Sequence, residues 1–329
     1  MQLRQLGHTG LQIAPLVFGG NVFGWTVDEA TSFALLDRFV AGGFNLIDTA
    51  DVYSRWVPGH DGGESETIIG RWLAAKPSRR DQVLIFTKLG SDMGEGRQGL
   101  GKRWIEQAVE DSLRRLQVDV IDLYQSHKPD AGTPHEETLA AYQRLIAAGK
   151  IRAIGCSNFD AAQVADAHRA ARSHGLPAYQ TLQPEYNLHD RASYDGPLRE
   201  LAIELGLGVI PYYSLASGFL TGKYRTDKDL SKSPRGAGVK KYLTPRGLRI
   251  LAALDEVSGR HGTGPAEIAL AWLMAREGVT APIASATSVA QMKSFSTAAA
   301  IALSAEDRGT LDRASEPEEE QRQGVRGID

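Results

Sequence analysis

The sequence predicts a single (β/α)8 barrel over residues 1–329, with an N-terminal β-hairpin at 1–14 and a long loop after the seventh strand. Three observations predict it. Eight short β-rich apolar runs alternate with longer segments of helical periodicity. Several of those runs are apolar almost throughout, as strands covered on both faces are. No linker divides the chain into halves, which favours a closed barrel over an open doubly wound sheet. With 329 residues, 42% of them hydrophobic and 23% charged, the chain has material for a sizeable core and is not of disordered composition.

In chain order, residues 3–6 and 11–13, turning through His8, Thr9 and Gly10, read as a hairpin that plugs the barrel floor. The first strand is expected at 16–19. The helix after it follows from Phe33, Leu36 and Val40 at three- to four-residue spacing behind Asp28 and Glu29. Strands two and three fall at 45–49 and 83–88, and Glu106, Val109, Leu113 and Leu116 mark a later helix. Strands four to seven are expected at 120–126, 151–157, 179–183 and 207–212, and strand eight at 281–285. Before strand eight lies a polar stretch at 221–244 with Lys223, Arg225, Lys228, Lys232, Arg235, Lys240 and Lys241. A loop that long inside a barrel is usually functional or mobile. The tail from Glu316 is acidic and expected to be solvated or frayed.

Thirty-seven Lys and Arg against forty Asp and Glu leave a net charge of −3, so no basic surplus points to nucleic acid or an anionic membrane. A single cysteine excludes a disulfide framework and a cysteine metal cluster, and fits a reducing compartment. That residue, Cys156, lies among apolar neighbours and reads as a buried structural thiol. No apolar run approaches the roughly 20 residues of a membrane span, and Gly, Thr and Pro break the N-terminus before signal-peptide length. The expectation is a soluble cytoplasmic protein.

Residues 94–99, GEGRQG, match GxGxxG formally. A dinucleotide fingerprint directly follows a strand, usually the first, whereas this one stands well past the third; it reads as a flexible loop. The stronger signal is positional, because barrel chemistry sits at the C-terminal ends of the strands. Strand two delivers Asp48, with Tyr53 in the loop after it; strand three ends in Lys88, and strand four leads into His127. Strand five gives Ser157 and Asn158, strand six Gln183 and strand seven Tyr212.

A carboxylate, a phenol, an ammonium and an imidazole at one mouth suit carbonyl reduction, which needs a hydride donor and a proton for the developing alkoxide. A phenol ordinarily titrates near 10. Lys88 beside it is expected to lower that value, and Asp48 to keep Lys88 charged and oriented. His127 is suited to orient the carbonyl or relay the proton. Taken singly, each of these residues reads as an ordinary strand-end or loop residue, so the case rests on one per successive strand end.

Barrels often hold phosphate near the loops after strands seven and eight. Ser285, Ala286, Thr287 and Ser288 are suited to cap a helix there, and Lys223 and Arg235 to close over a phosphate. Tyr212 is suited to stack on a flat ring. Trp25 and Trp56 lie in mouth loops and are candidates for the wall of a substrate pocket or, equally, for partly buried loop anchors.

These residues also carry a family likeness. The segments NLIDTADVY (45–53), LYQSHKPD (123–130), GCSNF (155–159), LQPEYN (182–187) and PYYSLASGFLTGKY (211–224), with Lys88, occur in the expected order. Together they resemble the signature of the aldo-keto reductase superfamily, in the bacterial branch related to voltage-gated potassium channel β-subunits. The likeness runs from about Leu3 to Phe295. It implies a barrel that binds NADP(H) in extended form without a Rossmann fold. It also implies a catalytic tetrad at Asp48, Tyr53, Lys88 and His127, with Tyr53 as the general acid. The cofactor contacts it implies are Asn21, Ser157, Asn158 and Gln183, with Tyr212 stacking. Its phosphate contacts fall on Leu215, Ser217, Lys223 and Arg235, and on Ser285, Thr287 and Gln291. Many members place a basic residue or Asn in the last motif, where Ser285, Gln291 and Phe295 stand here. That departure weakens strict NADP specificity, although Arg235 and Thr287 are suited to compensate; NADP(H) is favoured, with NAD(H) as the alternative.

The expected activity is reduction of aldehydes or ketones to alcohols with NAD(P)H, on a small carbonyl or sugar substrate. One alternative is an NAD(P)+-dependent sugar or alcohol dehydrogenase using the same four residues. A cofactor-binding regulatory subunit is another, from a different class. No metal, nucleic-acid or membrane partner is expected, and the oligomeric state is left open.

Overall fold

The computed structural model of the chain describes residues 1–233 and 236–317. β1 (Arg4–Gln5) and β2 (Gln12–Ile13) form an antiparallel hairpin. β3 (Val17–Gly19) leads into α1 (Glu29–Ala41), β4 (Leu46–Asp48) into α2 (Glu64–Ala75), and β5 (Leu84–Leu89) into α3 (Lys102–Leu116). β6 (Ile121–Ser126), β7 (Ile151–Ser157) and β8 (Thr181–Gln183) lead into α4 (His135–Ala147), α5 (Ala161–His174) and α6 (Pro197–Glu204). After β9 (Gly208–Val209) come α7 (Gly236–Val239), α8 (Pro245–His261) and α9 (Pro265–Met274). β10 (Ile283–Ala284) is followed by α10 (Met292–Ala300) and α11 (Ala305–Ala314).

β3 to β9 pair in parallel in chain order, and β10 pairs with β3, Ile283 opposite Val17. Thr280 N donates to Val209 O (2.8 Å) and Ile283 N to Pro211 O (2.8 Å), so the last strand also meets β9 and the barrel closes. A closed ladder has no edge to protect. All eight predicted strands are present. The last two are shorter than their apolar runs, because Pro211 and Pro282 have no N–H to give to a ladder.

Val17, Leu46, Phe86, Leu123, Ala153, Ile210 and Ile283 point inward and fill the barrel together with Leu6 and Ile13 of the hairpin. The hairpin is thus the expected plug. A side chain at Gly208 would meet Leu6 Cδ1 at 2.5 Å, so glycine lets the plug seat against the strand. Leu6 is fully buried, and Leu6→Ala is expected to cost about 2–5 kcal/mol in urea unfolding. A loss below about 0.5 kcal/mol would mean that the plug contributes no packing.

The outer face of the sheet packs on the helices. Phe18 stacks on Phe23 (5.3 Å between centroids) and meets Phe39 edge-on (5.4 Å), with Phe295 6.1 Å away. Phe295 is therefore a core residue with no exposed face for a phosphate. Cys156 is wholly buried, and burial pushes its thiol pKa up. Asp28 caps α1, accepting from Thr31 N (2.8 Å).

The described parts of the stretch, 221–233 and 236–244, are more ordered than the composition suggests. They carry 3-10 turns at Asp227–Lys232 and Lys240–Tyr242 beside α7. Arg225 holds Asp255 bidentately (2.8 and 2.7 Å), and Tyr242 Oη donates to Asp190 Oδ2 (3.0 Å). Arg235 and the tail beyond residue 317 lie outside the described residues. Among the described residues, no helix is long and apolar enough to cross a membrane.

Candidate functional site

Strand alternation aims Asp48 and Lys88 into the barrel at its C-terminal end, in the layer above Leu46 and Phe86. Asp48 is 1% exposed and Lys88 fully buried. The Lys88 ammonium spends its three protons on Asp48 Oδ2 (2.7 Å), the Thr49 carbonyl (2.8 Å) and Tyr53 Oη (2.9 Å). Asp48 Oδ1 accepts from Gln183 Nε2 (2.9 Å), with Gln125 Nε2 3.4 Å away. The carboxylate, the ammonium and the phenol thus form one connected group.

The loop after β4 sets the phenol. Thr49 N donates to Phe86 O (2.8 Å), Asp51 N to Lys88 O (3.1 Å) and Tyr53 N to Ala50 O (3.2 Å). Ser54, with left-handed backbone at φ 74°, is anchored through its hydroxyl to Phe23 O (2.7 Å). Tyr53 is half-buried with its ring 6.0 Å from both His127 and Trp56, and Trp56 meets Trp25 edge-on at 5.6 Å. The two tryptophans therefore stand beside the phenol as one aromatic wall.

Burial raises the Tyr53 pKa above its ordinary value, and the lowering by Lys88 does not cancel it. The expected net lowering is thus corrected: Lys88 acts in the anticipated direction, but desolvation is the larger effect. Burial also works against the Lys88 charge, yet Asp48 and Tyr53 more than offset it, and its pKa rises. Burial, with Lys88 and Lys128 nearby, holds the His127 pKa well below its ordinary value, so the imidazole is neutral at pH 7.

On the other side of the mouth, Ser157 Oγ donates to Gln183 O (2.7 Å). The exposed Asn158, at φ 63°, donates to the His127 carbonyl (2.8 Å) and accepts from Tyr212 Oη (2.6 Å). Its amide is largely committed to the protein, which leaves one lone pair on Oδ1. Ala216, Ser217 and Gly218 are successively left-handed (φ 48°, 56° and 96°), a strained run next to Leu215. The Lys223 ammonium lies 3.6 Å from where a Gly218 Cβ would stand, so glycine brings that charge onto the run.

Ser285 Oγ donates to Gly19 O (2.7 Å) and lies 2.7 Å from the Asn21 side-chain oxygen, stitching the last strand to the first. Thr287 and Gln291 are exposed and bonded to each other, Thr287 N to Gln291 Oε1 at 2.8 Å. Of the expected cap at 285–288, Ser288 stands at the N-cap position without a side-chain hydrogen bond; Gln291 N donates to its backbone carbonyl (3.1 Å) instead. The GEGRQG segment is a self-closed turn, Met93 N to Arg97 O at 2.9 Å and Arg97 Nη2 back to Met93 O at 2.9 Å. Gln125 escaped sequence reasoning, although a lone amide alternating inward with Leu123 was its signal. Tyr213, 48% exposed at φ 53° and 5.1 Å from Tyr212, also escaped it.

Residues 15–316 match the aldo/keto reductase family. The chain is 33% identical over 313 residues to the uncharacterized oxidoreductase YrpG of Bacillus subtilis, covering 93% of each chain. It is 34% identical over 325 residues to protein tas of Escherichia coli, covering 89% of this chain and 91% of that one. A probable voltage-gated potassium channel subunit beta of Oryza sativa is 33% identical over 294 residues, covering 87% and 88%. The family generally uses NAD(P)H, and with a matching barrel and a match over almost its whole length, the chain belongs to the aldo/keto reductase family of oxidoreductases.

Proposed function

We propose that the protein reduces small aldehydes and ketones with NADPH, Tyr53 giving the proton. The observation that carries this reading is the single Lys88 ammonium shared between the Asp48 carboxylate and the Tyr53 phenol, with a neutral imidazole beside the phenol ring. The neighbouring residues suit a nicotinamide nucleotide. Gln183, the open lone pair of Asn158 and the Tyr212 ring suit its flat amide end, and the left-handed run with Lys223 suits its phosphates.

Bound nicotinamide supplies the hydride. Tyr53, its pKa held high by burial, keeps its proton at neutral pH and so is loaded for reduction rather than for oxidation. Its oxygen accepts from Lys88, which leaves its own proton for the substrate oxygen. As that proton leaves, Lys88 stabilises the phenolate, and Asp48 holds Lys88 in place. Neutral His127 offers one N–H to orient the carbonyl.

The test is titration with NADPH and then NADH, followed by nicotinamide and tryptophan fluorescence. NADPH is expected to bind more tightly. Lys223→Ala is expected to weaken it about tenfold, the loss of one charge-assisted contact. Comparable binding of the two nucleotides points to an NAD-linked dehydrogenase, and binding of neither sinks the reading.

A further inference from the structure

In the loop between Asp48 and Tyr53 lies a carboxyl that the reaction does not use. Asp51 is 1% exposed, and neither of its side-chain oxygens has a hydrogen-bond partner in the protein, although its backbone N–H is fixed on the Lys88 carbonyl. Its wall is closed by the loop before α2. A side chain at Gly62 (φ 93°) would meet the Asp51 carbonyl at 3.0 Å and Met93 at 2.7 Å.

Each element packed around Asp51 brings a titratable group. β5 brings Lys88, already paired with Asp48 at 2.7 Å. α2 brings Glu66, fully buried, and α3 brings Arg115, whose Nε is 2.6 Å from Glu66 Oε2. Thr87 Oγ1 donates to the other Glu66 oxygen (2.6 Å). β6 brings Tyr124, whose buried hydroxyl is also without a protein partner. The charges therefore balance as two pairs, and each cation faces its own carboxylate. An ionised Asp51 would be a third anion against two cations, in a region closed to solvent, where an unpaired charge is expensive.

We infer that Asp51 is a neutral carboxylic acid in the working protein and a positioning residue: uncharged, it leaves the Lys88 charge to Asp48 and Tyr53. The electrostatics agree. Burial first and Glu66 second push the Asp51 carboxyl well above the usual carboxylate range, against the pull of Arg115, the nearby Val52 N–H and Lys88. The effect on the reaction rests on the reductase reading, whereas the charge state does not.

The experiment compares the parent chain with Asp51→Asn, nearly isosteric and uncharged, in thermal unfolding from pH 5 to 8. A folded-state acid with a raised pKa keeps a proton that the unfolded chain releases above the ordinary carboxylate range. The parent therefore loses stability as pH rises toward that raised value, and asparagine does not. The Tm of Asp51→Asn relative to the parent is expected to climb with pH; a difference that stays flat or falls overturns the neutral acid. Should Asp51→Asn not fold, Asp51→Ser, smaller and equally uncharged, is read in the same way.

Positioning is read from the pH profile of carbonyl reduction. Glu66→Gln frees Arg115 to pair with Asp51, which then ionises and offsets part of the Lys88 charge. The alkaline limb set by Tyr53 is expected to move to higher pH, and Glu66→Gln/Asp51→Asn to move it back. A limb that ignores both changes overturns the positioning role. Absence of any carbonyl turnover in the parent counts against the reductase reading alone, because the Tm comparison still decides the charge of Asp51.

Discussion

Tyr53→Phe is expected to slow carbonyl reduction by about 10²–10⁴, the usual contribution of a positioned general acid, while NADPH binding is retained. The substitution deletes one oxygen that accepts from Lys88 and leaves the ring packed beside Trp56 and His127. Steady-state rates and fluorescence titration on the same preparation read the two effects separately. Turnover kept at the parent level would sink the proton-donor role. The parent carries a sign that can be checked as well. Because burial outweighs Lys88 and holds the phenol above its ordinary pKa, reduction should stay level through neutral pH and fall only above the ordinary tyrosine range. Oxidation of the alcohol, which needs the phenolate, should rise over that same range.

Lys88→Met is expected to have the largest effect on stability. It keeps the methylene packing but removes the cation, leaving Asp48 buried with only the amides of Gln183 and, at 3.4 Å, Gln125. Breaking a buried pair in this way costs about 3–5 kcal/mol, because the remaining charge has neither water nor counter-ion. Urea unfolding should show that loss in the single variant and substantial recovery in Asp48→Asn/Lys88→Met. Activity should recover in neither, since Tyr53 lacks its ammonium in both. Equal stability of the two variants would mean that the stranded Asp48 charge is not what destabilises the chain.

Much of this arrangement was legible in the sequence, for a physical reason. Parallel strands buried on both faces are apolar runs, and a barrel brings the residues just past those runs to one mouth. Asp48, Lys88, Ser157 and Gln183 could therefore be located without knowing a distance. Depth of burial was not legible. It reverses the expected direction for Tyr53 and makes a structural residue of Phe295. Nor could local pattern reveal how Arg225 and Tyr242 are tied down, which depends on Asp255 and Asp190 in distant segments. Ser288 is a good capping residue by type, but the N–H of Gln291 that its hydroxyl would meet is bonded to its own backbone carbonyl. Asp51 reads in the sequence as one more acid in a loop. Only the two completed ion pairs around it show that it has no counter-ion left.

The buried thiol of Cys156 has a consequence for chemical durability. Electrophiles and oxidants attack thiolates that they can reach, and this chain, with a single cysteine, keeps that one out of contact and protonated. A protein proposed to handle reactive carbonyl compounds is thereby spared alkylation at sulfur by the molecules it processes. For the same reason, a cysteine introduced at the mouth, such as Trp56→Cys, would give a reporter dye one attachment point with no background from the native chain.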